Sequence, residues 1–125
     1  MVAKDKKEYK EIITKKEAGG GMKFDQGKLE WSLLPLEVME PVIRRLTEGR
    51  KKYEKNSWQL LQDGVERYEN AFFRHWYCYK TGDRWDNDPR FQGDNATTHL
   101  QACLTNLIFL VWFELQEIKK ENDGK

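Results

Sequence analysis

One helix that is apolar on nearly every side most constrains what this 125-residue chain can fold into. From about Ala96 to Glu121, Leu104, Leu107, Ile108, Leu110, Val111, Trp112 and Phe113 leave no broad polar face, so the segment is central or lies at an oligomer interface. Two amphipathic segments precede it. Between Pro35 and Tyr53, Leu36, Met39, Val42, Ile43 and Leu46 recur at helical spacing, and Pro41 predicts a bend or restart. From Gln62 to Lys80, Val65, Tyr68, Phe72, Trp76 and Tyr79 form a second stripe, which Thr81-Gly82-Asp83 ends. The expected fold class is all-α, a small helical domain of three main helices. Three helices bury little alone, which predicts a helical homo-oligomer.

A chain of this length forms one core. Residues 1–21 read as a flexible or marginally helical arm, cut off by Gly19-Gly20-Gly21; residues 22–121 form the single domain, and 122–125 a tail. Lys and Arg number 22 against 21 acidic residues, a balance that argues against a duplex nucleic acid partner and requires any anion to be bound locally. Cys78 and Cys103 lack C-x-x-C spacing, which disfavours a disulfide framework and a zinc knuckle. The start lacks a signal-peptide core and the longest apolar run is too short to span a bilayer. Together these predict a soluble, cytoplasmic protein with no membrane partner.

The chemistry-bearing residues begin with a loop. Met22 to Pro35 joins a strand-forming triplet to a Gly-Lys turn and a proline-punctuated helix start, placing Lys23, Asp25, Lys28 and Trp31 close together. Such a loop could offer cations to an anion, a carboxylate to a metal or sugar and a ring to a base; an exposed turn has the same spacing. On the second helix, Glu69 falls inside the apolar stripe at 100° per residue, with Glu66 one turn earlier, a pair able to share a cation or simply to face water. Glu37 and Glu40 repeat that spacing on the first helix, and Glu48 shares their face. The two helices together could build an oxygen-rich metal site, or Glu40 and Glu48 could pair with Arg44. The acidic loop from Arg84 to Asn95, which contains Asp94, is long enough for a lid or metal loop. His75 and His99 lie beside apolar stripes, where a histidine is either a core residue or able to bind metal or move a proton, and Asn106 lies two turns beyond His99 on the same side.

Several strings then fall in a familiar order: Lys23-Phe24-Asp25-Gln26-Gly27-Lys28 with Leu33-Leu34-Pro35, Gly49-Arg50-Lys51-Lys52-Tyr53, Asn56-Ser57-Trp58, Arg67-Tyr68-Glu69-Asn70-Ala71-Phe72-Phe73-Arg74-His75, Gly82-Asp83-Arg84-Trp85-Asp86, and His99 through Leu110. The chain resembles the phage dATP/dGTP diphosphohydrolase family over roughly residues 22 to 115. The resemblance implies a MazG-like all-α fold that cuts a nucleoside triphosphate between its α and β phosphates, with magnesium or manganese held by helix-borne carboxylates. It implies phosphate contacts at Lys23, Lys28 and Lys52, and a nucleotide site that also takes in Asp25, Trp31, Tyr53, Trp58, Arg74 and Asn106. The implied metal ligands are Glu37, Glu40, Glu66, Glu69 and Asp94, and the implied catalytic groups are Glu40, Glu69, His75 and His99. Two departures stand out. Family members read His-Leu-x-His where this chain has His99 and then Ala102, and Glu48 stands where the family has an aromatic residue. The Glu-Glu-x-x-Glu and Glu-x-x-Asp patterns of MazG-like enzymes are not intact. These departures keep a second expectation open: a non-catalytic protein that sequesters a nucleotide, such as a cyclic or signalling species in phage counter-defence.

Overall fold

The structure, a computed structural model, describes residues 5–7 and 26–124. The expected strand triplet at Met22 to Phe24, the glycine run and most of the N-terminal arm lie outside them. Two compact units divide the chain, Met1–Pro35 and Leu36–Lys125. In the first, a single turn of 3-10 helix, Trp31–Leu33, is held by Leu33 N–H donating to Glu30 O at 3.0 Å.

The second unit carries three helices: α1 (Leu36–Lys52), α2 (Gly64–Lys80) and α3 (His99–Asp123). Among the described residues there is no strand, only an isolated antiparallel bridge between Trp85 and Thr98. The all-α expectation is met. α2 packs along α3 in the most extensive contact, and α1 crosses α3 more lightly. No described helix is long and apolar enough to cross a membrane.

α1 runs through Pro41 without a break, contrary to the expected restart. Proline lacks the N–H that would bond the Glu37 carbonyl, and Glu37 lies in the exposed first turn, where the loss of that bond is least costly. Val42 is the buried residue of α1, whereas Leu36 and Ile43 face outward.

α2 differs more from expectation. Its inward face carries Gly64, Tyr68, Ala71, Phe72, His75 and Cys78, so it keeps Tyr68 and Phe72 of the expected stripe but is turned to one side of it, away from Glu69. Val65, Trp76 and Tyr79 are accordingly exposed, and so is Glu69, which therefore bears no burial cost. The smaller residues face inward because they allow close approach: a Cβ on Gly64 would lie 2.9 Å from the Phe113 Cζ of α3. Trp58, on the 3-10 turn Ser57–Leu60, fills the adjoining space, its ring 4.5 Å from Phe109 and 5.0 Å from Trp112.

α3 starts at a complete capping box. Thr98 Oγ1 accepts from Gln101 N–H at 3.1 Å, and Gln101 Oε1 accepts from Thr98 N–H at 2.7 Å, satisfying donors that have no partner inside the helix. Its N-terminal half, His99 through Asn106, holds the buried residues; farther along, Leu107, Val111, Leu115 and Ile118 are exposed.

Candidate functional site

The site starts from an ion pair. Arg45 of α1 donates through Nη1 to Asp86 Oδ2 and to Thr97 Oγ1, each at 2.8 Å, and its guanidinium lies 4.0 Å over the Phe91 ring. Both charges are nearly shielded from solvent. Such a pair is costly to desolvate and costlier to break, so it locks α1 to the 84–98 loop. Asp86 Oδ1 also accepts from Asp88 N–H at 3.0 Å. Burial alone would push the Asp86 carboxyl up, but the Asp88 N–H and Arg45 outweigh it and the net shift is downward. Asp88 is held lower still, at about 2, chiefly by its side-chain hydrogen bonds with Arg90.

Two cavities meet at this pair. The first, about 350 Å³, is lined by Arg45, Arg67, Arg74 and Arg90 together with His75, Asp86 and Asp88. Four guanidiniums against two carboxylates leave it formally positive, a receptor for a polyanion. The second, about 480 Å³, is walled by Tyr53, Trp58, Tyr68, Phe91 and Phe109, rings suited to a flat heterocycle. Arg45, Tyr68, Arg90 and Asn106 border both. Asn106 is fixed there by its own helix, since its Nδ2 donates to Ala102 O at 2.9 Å.

Behind the arginine cavity, His75 and His99 face each other across α2 and α3 with their Nδ1 atoms 2.8 Å apart. Burial, above all, lowers the pKa of His75, so its neutral form dominates at neutral pH. Ala102, three residues beyond His99, is fully buried, and His99 finds its imidazole partner on α2. The other ring nitrogen of His99, Nε2, is buried, has no hydrogen-bond partner, and lies 3.4 Å from Asp83 Oδ2.

Among the described residues, two sets of side chains bring metal-ligating atoms within 4.8 Å of one another: His75, Asp86 and His99, and Cys78, Asp83 and His99. None of Glu37, Glu40, Glu66, Glu69 or Asp94 belongs to either set. Glu40 pairs with Arg44, as the ordinary helical reading had it, whereas Glu48 accepts from Lys51 and Asn95 rather than from Arg44. Glu37, Glu66 and Glu69 are exposed, and Asp94 offers its backbone carbonyl to Arg44 at 2.8 Å.

Of the nucleotide-contact residues expected from sequence, Tyr53, Trp58, Arg74 and Asn106 line the cavities, with His75 beside them. Lys52 is exposed, its Nζ 5.4 Å from the Tyr53 ring centre, and lines neither cavity. Lys28 and Trp31 belong to the Met1–Pro35 unit, and Lys23 and Asp25 lie outside the described residues. Sequence reasoning missed Arg45, Arg67, Asp86, Asp88 and Arg90. Arg67, Ala71 and Arg74 stand at i, i+4 and i+7, a same-face signal that was readable; the loop residues had no such periodicity.

The family described as dATP/dGTP diphosphohydrolase, N-terminal, matches residues 18–123. A protein named dATP/dGTP diphosphohydrolase from Salmonella phage PMBT28 is 32% identical over 92 residues, which is 74% of this chain and 29% of that protein. The chain therefore spans less than a third of the length of that relative. No solved structure matches it. With residues 18–123 matched, the chain belongs to the dATP/dGTP diphosphohydrolase N-terminal family.

Proposed function

We propose that this chain binds a purine (deoxy)nucleoside triphosphate and hydrolyses it to the monophosphate and pyrophosphate, in a phage nucleotide-metabolism role in the host cytoplasm. The observation that carries this reading is the pair of joined cavities, one aromatic and one arginine-rich, which share Arg45, Tyr68, Arg90 and Asn106. The base stacks among Trp58, Tyr68 and Phe109. The phosphates are held by Arg45, Arg67, Arg74 and Arg90, whose planar donors match phosphate oxygens. His75, neutral by burial, adds an uncharged group to that wall.

A divalent cation, magnesium or manganese, fits this arrangement as a companion of the nucleotide. Bare cations are disfavoured in a cavity with excess positive charge, whereas such ions are usually held by one or two carboxylates plus substrate phosphates. Asp86 and Asp88, the carboxylates that line this cavity, would have to exchange their Arg45 and Arg90 partners for it, and its chemistry there would be to polarise a phosphoryl oxygen and acidify the attacking water. The residues of the chain orient the phosphates, neutralise their charge and, through the Arg45–Asp86 pair, keep the two cavities in register.

A second reading is favoured by the exposed, unconverged glutamates. In it, the chain sequesters a nucleotide without cutting it. Incubation with each dNTP and several cyclic dinucleotides, with and without manganese, followed by chromatography, separates the two. Monophosphate plus pyrophosphate supports hydrolysis, intact nucleotide recovered from denatured protein supports sequestration, and absence of both removes the nucleotide reading. Arg74→Ala should weaken triphosphate affinity about tenfold or more, since a hydrogen bond to a charged group contributes roughly 1.5–3 kcal/mol. A homo-oligomer belongs to the same proposal, supported by the uncovered Phe73, Tyr77, Val111 and Leu115; light scattering tests it, and a monomer at high concentration overturns it.

A further inference from the structure

We propose that Cys78, Asp83 and His99 form a binding site for a zinc-like transition-metal ion, distinct from any cation that travels with a nucleotide. The first observation is an orphan. His99 is 5% exposed, yet its Nε2 makes no hydrogen bond and only faces the Asp83 carboxylate at 3.4 Å, which leaves a buried polar atom poorly compensated unless something occupies its lone pair. That nitrogen, the Cys78 sulfur and an Asp83 carboxylate oxygen lie within 4.8 Å of one another.

The spacing suits a tetrahedral ion. Nitrogen and oxygen donors each about 2.0–2.1 Å from one tetrahedral ion stand roughly 3.3 Å apart. His99 Nε2 and Asp83 Oδ2 are separated by 3.4 Å. A sulfur, nitrogen and oxygen donor set is foreign to magnesium and suits zinc or cobalt. Asp83 is half exposed, so the ion has a path in and a fourth position for water.

The backbone holds the three donors in place before any ion arrives. Gly82, at φ 90°, turns the chain at the end of α2, and Asp83 N–H then donates to Cys78 O at 2.9 Å while Gly82 N–H donates to Tyr79 O at 3.2 Å. This Schellman turn folds Asp83 back over Cys78. One residue beyond Asp83, the Arg84 carbonyl accepts from His99 N–H at 2.9 Å, tying the third donor to the same loop.

The rival set, His75, Asp86 and His99, is less suited. It would compete for Asp86 with Arg45 and Asp88 N–H, and it draws on two rings already bonded to each other through Nδ1 at 2.8 Å. Metal on His99 Nε2 leaves that bond in place. The thiol proton of Cys78 leaves to solvent, the proton of the neutral His99 ring sits on Nδ1, and that N–H donates to His75 Nδ1. His75 then carries its proton on Nε2, so the ion fixes the tautomer of a ring that lines the arginine cavity.

The full-length chain, titrated with Co²⁺ alone, tests the site without reference to nucleotide. A single equivalent should give a thiolate-to-cobalt charge-transfer band with tetrahedral visible absorption, both erased by Zn²⁺, and Zn²⁺ should raise the melting temperature. Cys78→Ser, checked for folding by far-ultraviolet circular dichroism, should lose the charge-transfer band and bind tenfold or more weakly. Asp83→Asn, at an exposed position, should weaken binding while keeping the band. Absence of binding, or cobalt bound with no thiolate band and unaffected by Cys78→Ser, overturns the proposal.

Discussion

The two ends of the α2–α3 interface are built from different chemistry. At the Gly64 end, Trp58, Tyr68, Phe109 and Phe113 stack ring on ring, with Tyr68 and Phe109 centroids 4.6 Å apart. At the other end, His75, Cys78, His99 and Cys103 meet beneath the Arg45–Asp86 ion pair. The aromatic end stabilises by area and shape, and its few polar atoms are readily satisfied, as when Tyr68 Oη donates to Trp58 O at 3.3 Å. Polar atoms crowd the other end, which stays folded only because partners compensate each charge, and there a free valence, the Nε2 of His99, remains. Ring packing and compensated charge are thus segregated along one helix pair.

The largest test of that division is Arg45→Ala. It strands the buried Asp86 and should cost about 3–5 kcal/mol, measured by urea unfolding; an unchanged midpoint would mean that the ion pair does not organise the polar end. Trp58→Ala should cost about 3 kcal/mol through lost packing and weaken purine affinity, while leaving any Co²⁺ spectrum intact. A change in that spectrum would show that the two ends are coupled. Gly64→Ala presses a methyl against Phe113 and should destabilise by about 1–3 kcal/mol; a gain instead would mean that the ring yields and helix propensity wins. Thr98→Ala removes half of the capping box that starts α3 at the polar end, for about 1 kcal/mol.

The smallest effect is with pH. Arg90 holds the Asp88 carboxyl at about 2, below its ordinary 3.8, so the folded state resists taking up that proton. The associated stability is complete above 3.8 and fades as the pH falls toward 2. Asp88→Asn should flatten the melting temperature of the chain across that window; identical acid profiles would show that the Asp88–Arg90 pair contributes nothing, as screened surface pairs often do.

Much of this fold could be read from residue order. Helical periodicity, Pro35 and Gly82 predicted three helices within a few residues of their ends, because those cues are local. The facing of α2 was not legible. A wheel weighted by hydrophobicity favours Val65, Trp76 and Tyr79, but close packing favoured Gly64, Ala71 and Cys78, and the position of Phe113 against Gly64 is a tertiary fact. Glu69 moved to the surface with that rotation, and the expected carboxylate cluster lost its centre.

By itself, then, the sequence determined the helix count, the glycine that ends α2 and the family motifs, including Tyr53, Trp58, Arg74, His75, His99 and Asn106. Each of those depends on near neighbours in the chain. Tertiary structure alone decided that Arg45 and Arg90 would join Arg67 and Arg74 around one cavity, and that His99 would find His75 on one side and Cys78 with Asp83 on the other. Those partners are 16 or more residues apart, so no spacing rule links them. Only the burial of one helix against another brings them within bonding distance.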